Sequence, residues 1–279
     1  MMCASHSIEL EFTSRRERIN TPDYQLLIVN DCFINPSTLP NGIKIVYGPQ
    51  FWPEGEILGP YNPSYENNYV YNSLSIWNSI TLLEIYKSLV TPIVQMPYGV
   101  DVDRFNITEK TITFDCLVYY KHRKTDVLNK VLDELKAKNI SFKVISYGSY
   151  TEETYLQYLK ECKFMLSVDA HESQGFALQE AMSCNTPLLV LDATSLYDES
   201  NDGVRSIYEH HRPKNLYATS VPYWSTQCGI RIERLDDLSN SLELMLNTYT
   251  SYTPRHYIMN TLSPNVCMKN ILDYFGLKK

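Results

Sequence analysis

The sequence predicts an α/β protein built on parallel sheets, and three observations lead there. From Thr111 to Leu246 short apolar runs alternate with segments of helical period, the rhythm of a doubly wound sheet. The clearest stretch, KFMLSVDAHESQGFALQEAMSCNTPLLVLD, reads as a strand from Phe164 to Val168, a polar loop, a helix opened at Gly175 and ended before Pro187, and a second strand from Leu188 to Leu191. Finally, 279 residues with 44% hydrophobic and 20% charged content suit one large or two modest globular domains. The expectation is two Rossmann-like domains, the N-terminal one small.

In the first half the candidate strands are Ile8 to Phe12, Leu26 to Asn30, Ile43 to Tyr47 and Tyr69 to Tyr71, separated by stretches rich in Pro, Asn and Gly. Ile76, Ile80 and Leu83 at helical spacing predict a helix from about Leu74 to Leu89, which Thr91-Pro92 stops. Residues 1–98 form the first domain on this reading.

In the second half Thr111 to Tyr120 reads as a strand and Thr125 to Lys138 as a helix with Val127, Leu128, Val131, Leu132 and Leu135 on one face. Ser141 to Tyr147 is the next strand, and Ser149 or Thr151 can cap a helix reaching Cys162. Residues 195–214 carry no period and read as an insertion holding Tyr197, Arg205, His210 and His211, the histidines either facing an acceptor or lying on the surface. Leu216 to Val221 is a further strand, Leu235 to Leu246 an amphipathic helix, and Met268 to Phe275 a closing one. Residues 99–250 make the second domain, and 251–279 a helical segment that can cross back to the first.

The net charge of −7 argues against a general nucleic-acid binder. The 22 tyrosines suit carbohydrate-facing surfaces and equally fill cores. No run approaches the ~18 apolar residues of a membrane span, and MMCASHSIEL lacks the blocks of a signal peptide, so a cytoplasmic protein is expected. Cys3, Cys32, Cys116, Cys162, Cys184, Cys228 and Cys267 form no C-x-x-C pair and read as reduced, mostly buried thiols. Sequons at Asn106 and Asn139 mean little without a secretion signal. Neither G-x-G-x-x-G nor G-x-x-x-x-G-K-[ST] occurs.

In a parallel βαβ unit the loop after the first strand lies at the carboxyl edge of the sheet, where such sheets bind ligands, and the next helix points its N-terminus there. The amides near Gly175, Phe176 and Ala177 would then receive an anion such as phosphate. Glu172 precedes that helix start and Glu180 lies about one and a half turns into it, at ~3.6 residues per turn. Carboxylates at this place suit paired hydroxyls, the diols of a sugar or ribose. LVYYKHRKT supplies the cations an acidic chain needs to compensate a phosphate: Lys121, His122, Arg123 and Lys124 follow the first strand of the second domain.

At Glu172, Gly175, Glu180, Ala181, Met182, Thr186 and Pro187 the stretch resembles the Glu-x7-Glu motif of the GT-B fold retaining glycosyltransferases, E-x-x-G-x-x-x-x-E-A-M followed by a small residue and T-P. Residues 93–105, IVQMPYGVDVDRF, resemble the interdomain passage of the same enzymes, with Tyr98 for the usual Asn. The likeness covers roughly residues 93–246. It implies a GT-B-like fold with a reduced N-terminal domain, and an enzyme moving a sugar from a UDP or GDP sugar to a glycan or other hydroxyl acceptor, with no metal. In this group the first Glu serves the transferred sugar and the second the ribose, which carries over to Glu172 and Glu180. A basic pair holds the diphosphate, a role given jointly to Lys121 and Arg123. Lys121, Arg123 and Glu172 are the catalytic candidates. Tyr147 and Gly148 stand where the family contacts the base, Tyr147 either stacking on it or only packing. Gln174, with Ser173, either binds the sugar or caps the helix, and Gly175, Phe176 and Ala177 complete the donor site. His171 is either a base or structural.

The family's N-terminal Gly-rich loop is missing, and only His6 precedes residue 100, which leaves two stereochemical courses. A retaining transfer proceeds on the front face with the leaving phosphate helping to deprotonate the acceptor. An inverting one needs a base, with Asp31, Glu54 and Glu66 as candidates. Three further readings stay open: a metal-dependent GT-A enzyme using the D-x-D of Asp101 and Asp103, a sugar-nucleotide epimerase or hydrolase, and a non-catalytic nucleotide-sugar-binding module.

Overall fold

The computed structural model describes residues 24–30, 34, 39–49, 69–85, 92–198 and 216–277. They belong to two compact units, residues 1–98 with 267–279, and residues 99–266. The expected strand Ile8 to Phe12, together with Cys3, His6, Asp31, Cys32, Glu54, Glu66, Arg205, His210 and His211, lies outside the described residues.

The first unit holds a parallel sheet of β1 (Leu26–Val29), β2 (Lys44–Tyr47), β3 (Tyr69–Asn72) and β4 (Ile93–Val94), in sequence order. Alternation along the strands gives the sheet two apolar faces. Ile45, Tyr47, Tyr69 and Tyr71 pack with Val29, Ile43 and Leu82 on one face, while Val46 and Val70 pack with Met96 and Ile271 on the other. Asn72 ends β3 by accepting the amides of Leu74 (2.9 Å) and Met96 (3.0 Å) and donating to the Met96 carbonyl (2.8 Å).

Helix α1 (Ile76–Ile85) corrects the expected orientation. Ile76, Ile80 and Leu83, whose spacing predicted the helix, are 70%, 54% and 52% exposed, whereas Trp77, Thr81 and Leu82 are buried. The period signals a helix; the face that packs is chosen by the sheet, here through Leu82.

The second unit centres on five parallel strands in the order β6-β5-β7-β8-β9, where β5 is Phe114–Lys121, β6 Phe142–Ser146, β7 Cys162–Asp169, β8 Leu188–Leu191 and β9 Gly229–Ile232. The chain winds outward from β5 to β6, then returns to the other side of β5 and continues through β7, β8 and β9. The strand order therefore reverses between β5 and β7, and the carboxyl ends of these two strands flank the topological switch point.

Helices α2 (Thr125–Ala137), α3 (Glu152–Glu161), α4 (Phe176–Ser183), α5 (Leu238–Thr248) and α6 (Pro254–Thr261) surround this sheet, and α7 (Pro264–Tyr274) ends the chain. Val131 and Leu135 of α2 and Leu238, Leu242 and Met245 of α5 share one cluster with Cys116, Val118, Phe164, Leu166, Val168, Leu189 and Leu191, with Val127, Leu128 and Leu132 packed against it. Each fully buried aliphatic side chain there contributes about 1.5–3 kcal/mol. Thr151 caps α3 by accepting the Thr154 amide at 3.1 Å. Cys116, Cys162, Cys184, Cys228 and Cys267 are buried free thiols.

Beyond the shifted ends of several elements, two expectations need correcting. Leu216 to Val221 is not a strand: Tyr217 makes one antiparallel bridge with Ser195 and the remainder is loop. The edge strand is β9, which had no apolar run to announce it. Gly229 starts it at φ +140°, and a Cβ there would come within 2.0 Å of the Leu188 carbonyl oxygen, so the pairing with β8 requires glycine. Helix α6, opened by Pro254 in its first turn, falls in the segment 251–279 that was expected to be helical. Among the described residues no helix is long and apolar enough to cross a membrane.

Candidate active site

The carboxyl ends of β5 and β7 meet at Lys121 and Asp169, which are register partners. His122 follows in a left-handed conformation, φ 54°, and bridges Asp169 through the backbone. This turn sends Lys121 and Arg123 in different directions. The Lys121 ammonium pairs with Glu172 Oε1 in the loop after β7, both side chains being largely enclosed, and sits 4.5 Å above the Tyr147 ring. Burial alone would lower the Lys121 pKa; the Glu172 and Asp169 carboxyls outweigh it and hold the ammonium above its ordinary value.

Arg123 turns inward and is only 6% exposed. Its Nη1 donates to the Asp169 carbonyl (3.0 Å), its Nη2 donates to the Asp192 carbonyl (3.3 Å), and Asp198 lies 3.8 Å away. The guanidinium thus ties the end of β7 to the end of β8, a structural bracket behind the site. Lys121 is the cation that faces the loop carrying Glu172.

Gly175 caps α4 in a left-handed conformation, φ 82°. The first intrahelical bond runs from the Gln179 amide to the Gly175 carbonyl, 3.0 Å, so the helix itself leaves the amides of Phe176 and Ala177 unused. Gln174 is buried and donates to Gln179 Oε1 at 3.0 Å, while Gln179 donates back to the Gln174 carbonyl at 2.6 Å. Gln174 therefore braces the start of α4. The Ala177 carbonyl accepts the Tyr155 hydroxyl, fixing α4 to α3. Ala181, Met182 and Thr186 are buried, so these members of the motif serve packing.

Glu180 is half-buried one and a half turns along α4. Burial first, and then the neighbouring Glu152 carboxylate, raise its pKa to about 7, with Arg104 opposing. The folded value lies above the ordinary 4.5, so the proton stabilises the fold below about 4.5, and this contribution is lost as pH rises through about 7. Replacing Glu180 by Gln should therefore raise the melting temperature at pH 8, with a gain on the order of 2–3 kcal/mol that vanishes in acid. Thermal unfolding of both proteins across pH 4–9 checks this. Equal curves at pH 8 would contradict it.

Tyr147 and Gly148 form the turn that follows β6: Tyr147 is 57% exposed, its ring 5.6 Å from that of His122, and Gly148 has a φ of +76° with open space around it. Asp101 accepts the Arg104 amide at 3.1 Å and so caps the turn that contains Asp103. Among the described residues no group of three or more His, Cys, Asp or Glu side chains is assembled as for a metal.

Sequence reasoning passed over Asp169, the last residue of β7, and Asp192, which follows β8, both wholly buried. Asp192 accepts the hydroxyls of Thr219 (2.8 Å) and Ser220 (2.8 Å) and the Ser220 amide (2.7 Å), and pairs with Arg231 (2.7 Å). The loop so held returns to the site, where the Thr219 carbonyl accepts the Glu172 amide at 3.0 Å. The signal was present in the sequence, since SVD and VLD each close an apolar strand with an acid at the ligand-binding edge.

The fold defines a class: an α/β protein of two Rossmann-like parallel-sheet units, matching GT-B glycosyltransferase structures. No protein-family model and no curated protein matches the sequence. Solved structures do. TarM superposes with a TM-score of 0.51 at 16% identity over 74% of this chain and 43% of its own. Sucrose-phosphate synthase from Thermosynechococcus elongatus gives 0.53 at 10% identity over 84% of this chain and 68% of its own. WaaG, a glycosyltransferase involved in lipopolysaccharide biosynthesis, gives 0.51 at 12% over 90% and 78%. An S. aureus TarM mutant has been solved with fondaparinux, alpha-GlcNAc-glycerol and UDP. The chain spans less than half the length of TarM.

Proposed function

We propose that the protein is a glycosyltransferase that moves a sugar from a UDP or GDP sugar to a glycan or other hydroxyl acceptor, with retention and without a metal. The observation that carries this reading is the convergence of Lys121, Glu172 and the head of α4 at the switch point, with Glu180 following on the same helix. Lys121 and the amides of Phe176 and Ala177 offset the charge that grows on the diphosphate as the bond from the anomeric carbon to its oxygen breaks. The acceptor oxygen forms the new bond to that carbon and its proton passes to the leaving phosphate. Glu180 accepts the ribose hydroxyls and Glu172 those of the sugar. Tyr147 and Gly148 border the base. Arg123 supports the site from behind by holding the ends of β7 and β8 together.

Calorimetric titration of UDP and GDP, with chelator present, tests the donor site. One nucleotide should bind the wild type and bind Glu180→Gln about tenfold more weakly or worse, the loss of a charged hydrogen-bonding pair. Affinity for the wild type should also fall below pH 7 as Glu180 takes up its proton. If neither nucleotide binds at any pH, the reading is wrong.

A further inference from the structure

Asp169 has no part in the transfer just described, yet its carboxyl group lies wholly buried beside the two groups that do. Oδ1 accepts the Ala170 amide at 2.7 Å. Oδ2 is buried with no hydrogen-bond donor in reach, a costly arrangement for an acceptor left unmet. Three side chains face this carboxyl: the Lys121 ammonium and the Tyr119 phenol from β5, and the Glu172 carboxyl from the following loop, which stands within hydrogen-bonding range. Arg123 reaches only the backbone carbonyl of Asp169, and His122 meets its backbone.

Charge counting then decides the protonation. One ammonium serves two adjacent carboxyls, and it is committed to Glu172 Oε1. Two carboxyls in contact do not both ionise, and the proton resides on the one with less access to water. A proton on the Asp169 carboxyl makes it a donor, and Glu172 is the carboxylate within hydrogen-bonding range to accept it.

We propose that Asp169 is a positioning residue that remains a neutral acid at working pH and donates its proton in a hydrogen bond to Glu172, aiming that carboxylate at the donor sugar. The proposal rests on the transferase reading for its consequence, though not for the hydrogen bond itself. Burial, followed by the Glu172 charge, pushes the Asp169 pKa well above the carboxylate range, in agreement with the geometry. The arrangement also frees Lys121. When a diphosphate draws the ammonium away, Glu172 retains one fixed donor and its direction.

Protein labelled with 13C at the aspartate carboxyls reports the state directly. At pH 7 one wild-type aspartate should resonate as a neutral acid, and in Glu172→Gln it should move to the ionised position, since the lone Lys121 is then free to pair with it. Asp169→Asn keeps a donor toward Glu172 and should retain donor turnover within about threefold. Asp169→Ala removes it and should lose about tenfold to a hundredfold in kcat with KM little changed. All aspartates ionised at pH 7, or Asn and Ala variants equally impaired in kcat, would overturn the proposal. The labelling result needs no donor, so a protein that turns over no sugar nucleotide yet shows the neutral acid would sink the transferase reading alone.

Discussion

Lys121→Met is expected to reduce sugar release from the nucleotide donor by about a hundredfold to a thousandfold, the usual loss when one preorganised charge on a developing anion is removed. Lys121 pairs with Glu172 at the loop after β7, whereas the Arg123 guanidinium is buried and donates to the Asp169 and Asp192 carbonyls. The lost interaction grows in the transition state, so kcat should fall further than nucleotide affinity. Arg123→Met should instead act through stability, loosening the ends of β7 and β8. Steady-state kinetics of the two variants, set beside their melting curves, separate the roles. A Lys121→Met enzyme within threefold of wild type would exclude it from the chemistry.

Asp192→Ala is expected to cost roughly 3–5 kcal/mol of stability, and a unit of this size should melt about 10 °C lower. The buried carboxylate accepts from Thr219 and Ser220 and pairs with Arg231. Truncation leaves those donors without an acceptor and a guanidinium without its partner. The damage reaches the site through the Thr219 carbonyl, which holds the Glu172 amide. Asp192→Asn preserves the shape but not the charge and should fall between the two. Chemical denaturation with unchanged m-values would establish that stability alone moved. An unaltered midpoint for Asp192→Ala would show that the loop is held by other means.

What could be read from the sequence was what local pattern determines. From Phe164 to Leu191 strand, loop, helix and strand follow one another without long-range help, and Gly175 opens the helix as its position suggested. β9 was invisible because four residues, GIRI, become a strand only by lying against Leu188–Leu191. In α1 the period gave the helix while the sheet chose the opposite face, burying Trp77 and Leu82. LVYYKHRKT announced positive charge at the correct edge, but which cation faces outward depends on the left-handed turn at His122. Asp169 and Asp192 looked like ordinary strand ends. Their importance comes from what four other segments bring to them.

The most direct test of the donor-site assignment is nucleotide release from a panel of UDP and GDP sugars, with chelator present and no added acceptor. The wild type should slowly hydrolyse one donor, freeing the sugar with its anomeric configuration retained, and Glu180→Ala should not. If no donor in the panel is consumed, and no nucleotide shifts the melting temperature, the convergence of Lys121, Glu172 and Glu180 is not a nucleotide-sugar site.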